Sequence, residues 1–329
     1  MFPIALTIQG TGSYLPENKR LSTEIDRRLG WGDGQVQARF SLESRAVATP
    51  DETSSMMATE AARRAMDMAD CGPEDLDLIL GACGVMEQPI PSTAVLVQDR
   101  LGLGQSGIPA FDINATCLGF LQALDVAGLW VAARRARRVL IFSADIASVG
   151  LNWSHPESAA IFGDGAGAVV VGAGEGEGAV LSHGFATYAE GKEACVLAAG
   201  GTRVNPVRGS DEGDNCFQMD GAQAYRLAAR YLPDFVTDLL KRAGLERDEL
   251  DAVLPHQASA QALRLMTRAL HLPQSKVVDI FSNHGNQVAA SIPTVLDYAV
   301  RNGRLQRGDK ALLIGTSAGI SIGGTVVQF

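Results

Sequence analysis

The chain has 329 residues, 46% hydrophobic and 20% charged, with 36 glycines, which makes it too long for one small domain and too apolar for a disordered or fibrous chain. A formal net charge of −9 excludes a general nucleic-acid surface, since phosphate requires a basic field, and any acidic partner must find a local basic patch. The five cysteines are odd in number and show neither Cys-x-x-Cys nor Cys/His spacing, which argues against a disulfide framework and predicts no metal.

Along the chain, the first segment lacks a basic region followed by an apolar run. No stretch approaches the roughly 20 apolar residues of a membrane span, so a cytoplasmic chain without membrane contact is expected. Residues 61–68 read as helix, 75–81 and 111–114 as strands, 119–135 as helix, and 138–142 and 167–171 as further strands. The order then recurs: helix at 235–243, strands at 249–255, 278–281, 310–314 and 324–328. Short β-branched runs bounded by Gly, Pro or Asn and alternating with helices indicate βα units and largely parallel, buried sheets. The recurrence predicts a layered α/β chain of two pseudo-repeated halves, 1–172 and 173–329.

Chemistry in such sheets collects at the carboxyl ends of strands. Three reactive side chains stand there: Cys117 after the strand at 111, His256 after that at 249, and Asn286 after that at 278. Cys117 lies at a turn into a helix, whose unpaired N–H groups and positive dipole end favour a thiolate and can stabilise an acyl oxyanion; an ordinary core thiol fits the same context. Cys71, Cys83, Cys195 and Cys216 read as core residues. His256 and Asn286 both donate hydrogen bonds without a full charge, which suits an enolate beside a thioester, although satisfying a turn would use the same groups. His284 reads as structural. The glycine-rich segments 163–168 and 315–324 lack the G-K-[ST] and strand-turn-helix setting of nucleotide loops, so tight turns and close backbone approach explain them, and the second can aim an N–H at a thioester oxygen.

Five motifs stand in one order across nearly the whole chain: A-T-C-L-G-F at 115–120, I-F-G-D-G-A-G at 161–167, R-V-N-P at 203–206, P-H-Q-A at 255–258 and H-G-N at 284–286. In these the chain resembles the β-ketoacyl-acyl-carrier-protein synthase III family of thiolase-fold condensing enzymes. The resemblance implies a thiolase-like layered αβαβα fold, a homodimer, no cofactor, and CoA and acyl-carrier-protein (ACP) thioesters as substrates. It implies that an acyl-CoA primer acylates Cys117, that malonyl-ACP loses CO2, and that the enolate attacks the acyl thioester. Cys117 is then the nucleophile, His256 and Asn286 bind the malonyl thioester oxygen, and the N–H groups of Cys117 and Ala318 form the oxyanion hole. Thr316 lines the acyl pocket, and Ile90 reaches across the dimer into the partner's.

Departures from the family pattern bear on substrate. The usual R-T-G-I reads R-F-S-L at 39–42, leaving Arg39 as a substrate-binding residue with Trp31 near but off the matching spacing. H-Q-A-S-A-Q at 256–261 puts Ser259 in place of an asparagine and drops a basic residue, and T-S-A-G-I at 316–320 reshapes the pocket. Related olefin-pathway enzymes carry glutamate where this chain has Ile90. Arg226, Arg230, Arg264 and Arg268 recur at helical spacing and supply a patch for an acidic carrier protein, or a solvated helix face. Other readings are a specialised paralogue such as a pimeloyl-precursor synthase, an acyl-CoA condenser or an acyltransferase. A non-catalytic thioester-binding paralogue is disfavoured, because binding alone would not need Cys117, His256 and Asn286 together.

Overall fold

Two central sheets form from short runs of Val, Ile and Leu, and a computed structural model describes residues 4–173 and 178–329. Strand β1 (Thr7–Tyr14) precedes a ribbon of β2 (Lys19–Leu21) and β3 (Ser44–Ala46) that brackets helices α1 (Ser22–Arg28) and α2 (Gln35–Phe40). There follow α3 (Ser54–Met68), β4 (Leu78–Gly81), α4 (Thr93–Arg100), β5 (Ala110–Asp112), α5 (Gly119–Ala132), β6 (Arg138–Asp145), α6 (Pro156–Ile161) and β7 (Gly165–Gly172). Next come β8 (Ala179–Thr187), a small hairpin of β9 (Cys195–Val196) and β10 (Gln218–Met219), α7 (Gly221–Ala243), β11 (Ala252–Pro255) and α8 (Ala260–Ala269). The chain closes with α9 (Phe281–His284), α10 (Ser291–Arg301), β12 (Lys310–Ser317) and β13 (Ser321–Gln328).

The first sheet runs β1-β7-β6-β4-β5 and the second β11-β12-β13-β8. Strand β4 is parallel to β5 and β6, and β11 is parallel to β12, whereas β7 and β13 are antiparallel to both their neighbours. The sheets are therefore mixed rather than largely parallel. Hydrophobic runs reveal burial on both faces but carry no information about the direction of the neighbouring strand. The strands β4, β6 and β7 answer β11, β12 and β13 as the recurrence predicts, and β1 answers β8, a correspondence the residues did not disclose.

One expected strand is absent. At 278–281 only the start approaches the sheet, where the Val278 N–H donates to Val253 O at 2.9 Å, and Phe281 already opens α9. The Gln257 side chain replaces the ladder: its Nε2 donates to Val278 O at 3.2 Å and its Oε1 accepts the Ile280 N–H at 2.9 Å. A buried side-chain amide thus satisfies backbone groups that a neighbouring strand would otherwise pair.

Alternate residues on each strand face different layers, as the pleat requires. Leu80, Ile141, Leu254 and Leu313 meet Phe120 and Leu124 of α5 and Ile292 and Leu296 of α10, which form a layer between the sheets. Ile79, Leu140 and Val170 face outward onto Met57 and Ala61 of α3 and Val97 of α4. Val253, Leu312 and Val326 face outward onto Val236 and Leu239 of α7. The result is five layers, αβαβα. Burying each such side chain contributes about 1.5–3 kcal/mol, and the apolar middle layer holds the carboxyl ends of β4, β5, β11 and β12 against one another.

Candidate active site

Cys117 occupies a single 3-10 turn, Thr116–Leu118, between β5 and α5. Asn114 Oδ1 accepts the Thr116 N–H at 2.9 Å, which fixes the approach to the turn. Thr116 has φ +50°, a left-handed conformation that a β-branched residue adopts only when its surroundings impose it, at a cost on the order of 1–3 kcal/mol. The half-buried Cys117 side chain packs against an apolar cluster that includes Phe162, Phe217 and Val288.

Two backbone N–H groups, its own and that of Ala318, lie near enough to the sulfur to favour its charged form slightly. Burial first, and then neighbouring Cys195 and Asp145, nevertheless push the thiol well above its ordinary range. This corrects the expectation of a favoured thiolate. The helix start supplies the N–H groups, but loss of solvent outweighs them, so resting Cys117 carries its proton.

His256 follows β11 and donates its backbone N–H to Ile314 O at 2.8 Å, which continues the parallel ladder by one residue. Its ring is 6% exposed, Nδ1 meets no partner, and burial pulls its pKa down to about 4, so the imidazole is neutral at pH 7. Asn286 lies between the Ile161 O and Gly163 N–H groups, bonded to both through its backbone at 2.7 and 3.1 Å. Its Nδ2 donates to Ala258 O at 3.3 Å and its Oδ1 accepts the Val288 N–H at 2.9 Å. Because Ala258 is two residues beyond His256, the Asn286 amide is docked on the histidine's own turn. Val288 has φ +51°, a second β-branched residue in left-handed backbone.

Gly315 of β12 joins the nucleophile turn to the histidine. A Cβ placed there would come 2.7 Å from His256 Cβ and 2.9 Å from Leu118 Cδ2, the residue after Cys117. Only glycine lets these two side chains close over the strand from either side. This is the close approach expected of the glycine-rich segment at 315–324. Among the described residues no group of three His, Cys, Asp or Glu is arranged to hold a metal ion.

Sequence profiles described as 3-oxoacyl-[acyl-carrier-protein (ACP)] synthase III match residues 111–191, and those of its C-terminal part match 240–329. The β-ketoacyl-[acyl-carrier-protein] synthase III of Laribacter hongkongensis is 35% identical over 98% of both chains. The chain belongs to the β-ketoacyl-ACP synthase III family. It is therefore an acyltransferase-type condensing enzyme with the thiolase-like fold. The crystal structure of 3-oxoacyl-[acyl-carrier-protein] synthase III from Aquifex aeolicus VF5 superposes with a TM-score of 0.89 at 31% identity, covering 98% of this chain and 100% of that one. Xanthomonas campestris OleA, at 21% identity and a TM-score of 0.89 over the whole of both chains, shares the fold.

The remaining residues singled out from the sequence of this synthase III relative fall in different places. Thr316 is half-buried on β12, next to Gly315. Ile90 is 86% exposed on the segment between β4 and α4. Arg39, at the end of α2, stacks over Trp31 with its guanidinium 4.2 Å from the ring centroid, and Trp31 stacks on Phe40. The Ser259 hydroxyl caps α8 by accepting the Ala262 N–H at 3.1 Å. Arg226 and Arg230 are exposed on α7, Arg264 and Arg268 on α8, and none of the four forms an ion pair among the described residues. Arg264 Nη1 reaches Ser41 Oγ at 3.4 Å, which joins α8 to the end of α2. His284 has the structural part expected of it, with Nδ1 against Ile280 O at 3.0 Å.

Two buried residues were not picked out in advance. Gln257 clamps the His256 turn to residues 278–280, as described above. Asp145, at the end of β6, binds amides from the loops on either side of Cys117. A polar residue directly after an apolar strand was the available signal for Asp145, and adjacency to His256 for Gln257.

Proposed function

We propose that the chain joins an acyl group carried on Cys117 to a malonyl thioester that loses CO2, as a β-ketoacyl-ACP synthase III. The Cys117 sulfur attacks the primer carbonyl, the bond to CoA breaks, and CoA leaves with the thiol proton. Malonyl-ACP then releases CO2, the resulting enolate carbon forms a bond to the acyl carbon, and the sulfur departs and recovers a proton. The observation that carries this reading is the convergence of three turns: Gly315 lets Leu118, next to Cys117, and His256 close on one point, and the Asn286 amide is docked on Ala258 of the histidine's turn. Neutral His256 and the Asn286 amide supply uncharged donors for the malonyl thioester oxygen, where negative charge grows as CO2 departs.

On this reading the halves 1–172 and 173–329 contribute the nucleophile and the enolate donors respectively. Thr316 lines the acyl pocket, and exposed Ile90 enters that of a partner subunit in a homodimer. The Arg39–Trp31 stack offers a cation and an aromatic face to the CoA nucleotide, with Ser259 beside the pantetheine path. No described helix is long and apolar enough to cross a membrane, which agrees with cytoplasmic substrates.

Intact-protein mass spectrometry with a panel of acyl-CoAs, followed by malonyl-ACP, tests the proposal. The expected result is one acyl adduct on Cys117, cleared as β-ketoacyl-ACP appears. An adduct that malonyl-ACP leaves in place but another acceptor removes would replace the proposal with simple acyl transfer.

The four exposed arginines of α7 and α8 form the docking patch for the acidic carrier. Charge reversal of Arg264 and Arg268 to Glu is expected to raise the KM for malonyl-ACP about tenfold and to leave acylation by acyl-CoA unchanged. Equal KM values in wild type and variant would remove this surface from the account.

A further inference from the structure

Asp145 ends β6 with its carboxyl fully buried, and none of the ion pairs among the described residues includes it. It is held by backbone donors instead. Its Oδ1 accepts the Val85 N–H at 2.5 Å, its Oδ2 accepts the Ala290 N–H at 3.0 Å, and the N–H groups of Gly84 and Ala289 point at it as well. The first pair belongs to the segment after β4, in the half that carries Cys117. The second lies just beyond Asn286, at the entrance to α10.

The two left-handed β-branched residues sit between these anchored pairs. Val288 immediately precedes Ala289, and its Cγ1 would be 2.5 Å from a Cβ on Gly84; the carbonyl carbon of Thr116 would be 3.5 Å from the same point. Gly84, Thr116 and Val288 therefore pack into one contact beside the carboxylate. Strained backbone of this kind persists only where the surroundings over-determine it. Relaxation of Thr116 would swing the N–H of the next residue, Cys117, out of line. Relaxation of Val288 would withdraw the N–H that orients Asn286 Oδ1.

We propose that Asp145 is a positioning residue for the condensation, whose carboxylate holds the Cys117 turn and the Asn286 turn in one register by binding amides from both sides. A carboxylate suits this place because it presents acceptors in every direction, whereas an asparagine would turn two N–H donors toward the amides. The charge has a second effect. After burial, Cys195 and Asp145 are the groups whose proximity raises the Cys117 thiol, and Asp145 also acts on buried Cys83. Burial raises the Asp145 carboxyl to about 7 despite the amides, so it is ionised in the higher pH range where Cys117 titrates, and there it opposes formation of the thiolate.

This inference rests on the proposed condensation, and Asp145→Asn tests it through two readings. Since Asp145 is fully buried and its oxygens are taken by backbone amides, kcat for condensation is expected to fall about tenfold to a hundredfold with KM for both thioesters within about twofold, the size of effect that small misplacements at a site produce. The pH midpoint for iodoacetamide alkylation of Cys117 should move to lower pH, because a negative neighbour has gone. A residue that only supports the fold would lower the melting temperature and leave that midpoint in place. An unchanged kcat, or an unmoved alkylation midpoint, in the folded variant overturns the proposal. If the Asn variant does not fold, Asp145→Ser, which leaves room for water to meet the four amides, gives the same two readings. The alkylation profile needs no thioester, so it remains decisive even if wild-type enzyme fails to condense acyl-CoA with malonyl-ACP.

Discussion

Cys117→Ala is expected to abolish adduct formation and to lower condensation by at least roughly 10³-fold, while release of CO2 from malonyl-ACP continues within about tenfold of wild type. The separation follows from how the site is held. His256 is fixed through its backbone to Ile314, and Asn286 through Ala258 and Val288, so no hydrogen bond that orients either donor passes through the sulfur. Removing the sulfur also lightens the packing around Leu118 and Val288 without touching the strained backbone on either side. Parallel measurement of adduct mass and CO2 release decides the matter. If CO2 release collapses together with adduct formation, the two half-reactions share the sulfur, and His256 with Asn286 cannot be the enolate donors on their own.

His256→Ala should give the opposite pattern. Acyl-Cys117 forms within about tenfold of the wild-type rate, and decarboxylation falls by about 10²–10³-fold, the loss typical of removing one donor to a developing oxyanion. The pH dependence distinguishes this role from that of a general base. The folded pKa of about 4 lies below the ordinary 6.5, so the ring stays neutral across the neutral and mildly acidic range. Decarboxylation by the Cys117→Ala enzyme should therefore show no fall with a midpoint near pH 6.5. Stability carries the protonation instead. Between the two pKa values the unfolded chain binds a proton that the folded chain refuses, so acidification from about 6.5 towards 4 costs stability, and nothing more is lost to this group below that window. Thermal melts over the same pH series separate that loss from chemistry. A decarboxylation midpoint near 6.5 with the fold intact would mean that the imidazole is solvated and must be assigned a different part.

Much of this architecture was legible because its strands are buried on both faces. Continuous apolar runs at 75–81, 138–142, 249–255 and 310–314 stand out; His256 follows the third of them, and Cys117 follows the shorter run at 111–114. Sheet direction was not legible, because Ile79 and Leu80 would face opposite layers whether their neighbours ran parallel or antiparallel. The strand expected at 278–281 failed for a local reason: one glutamine side chain, from Gln257, took over the hydrogen bonds that would have justified it. The protonation state of Cys117 failed for another. A helix start can be read from residues 115–120, but the solvent excluded by Phe162, Phe217 and Val288 depends on segments far apart in the chain. Asp145 lay in plain view at the end of a strand, yet its meaning depends on which four amides meet it.

A site poor in positive charge follows from these same surroundings. Among the described residues, the groups that shift Cys117 and His256 include no cation, and the carboxyl that acts on Cys117 belongs to Asp145. A malonyl carboxylate that reaches such a place surrenders its hydration and finds no counter-ion in return. Departure as uncharged CO2 discharges it, and the charge left on the thioester oxygen falls to two neutral donors that were already aimed. On the proposed reaction, surroundings that stabilise Cys117 and His256 in their uncharged forms favour loss of the malonyl charge as CO2, whereas a cation placed there would hold the carboxylate in the form that does not react.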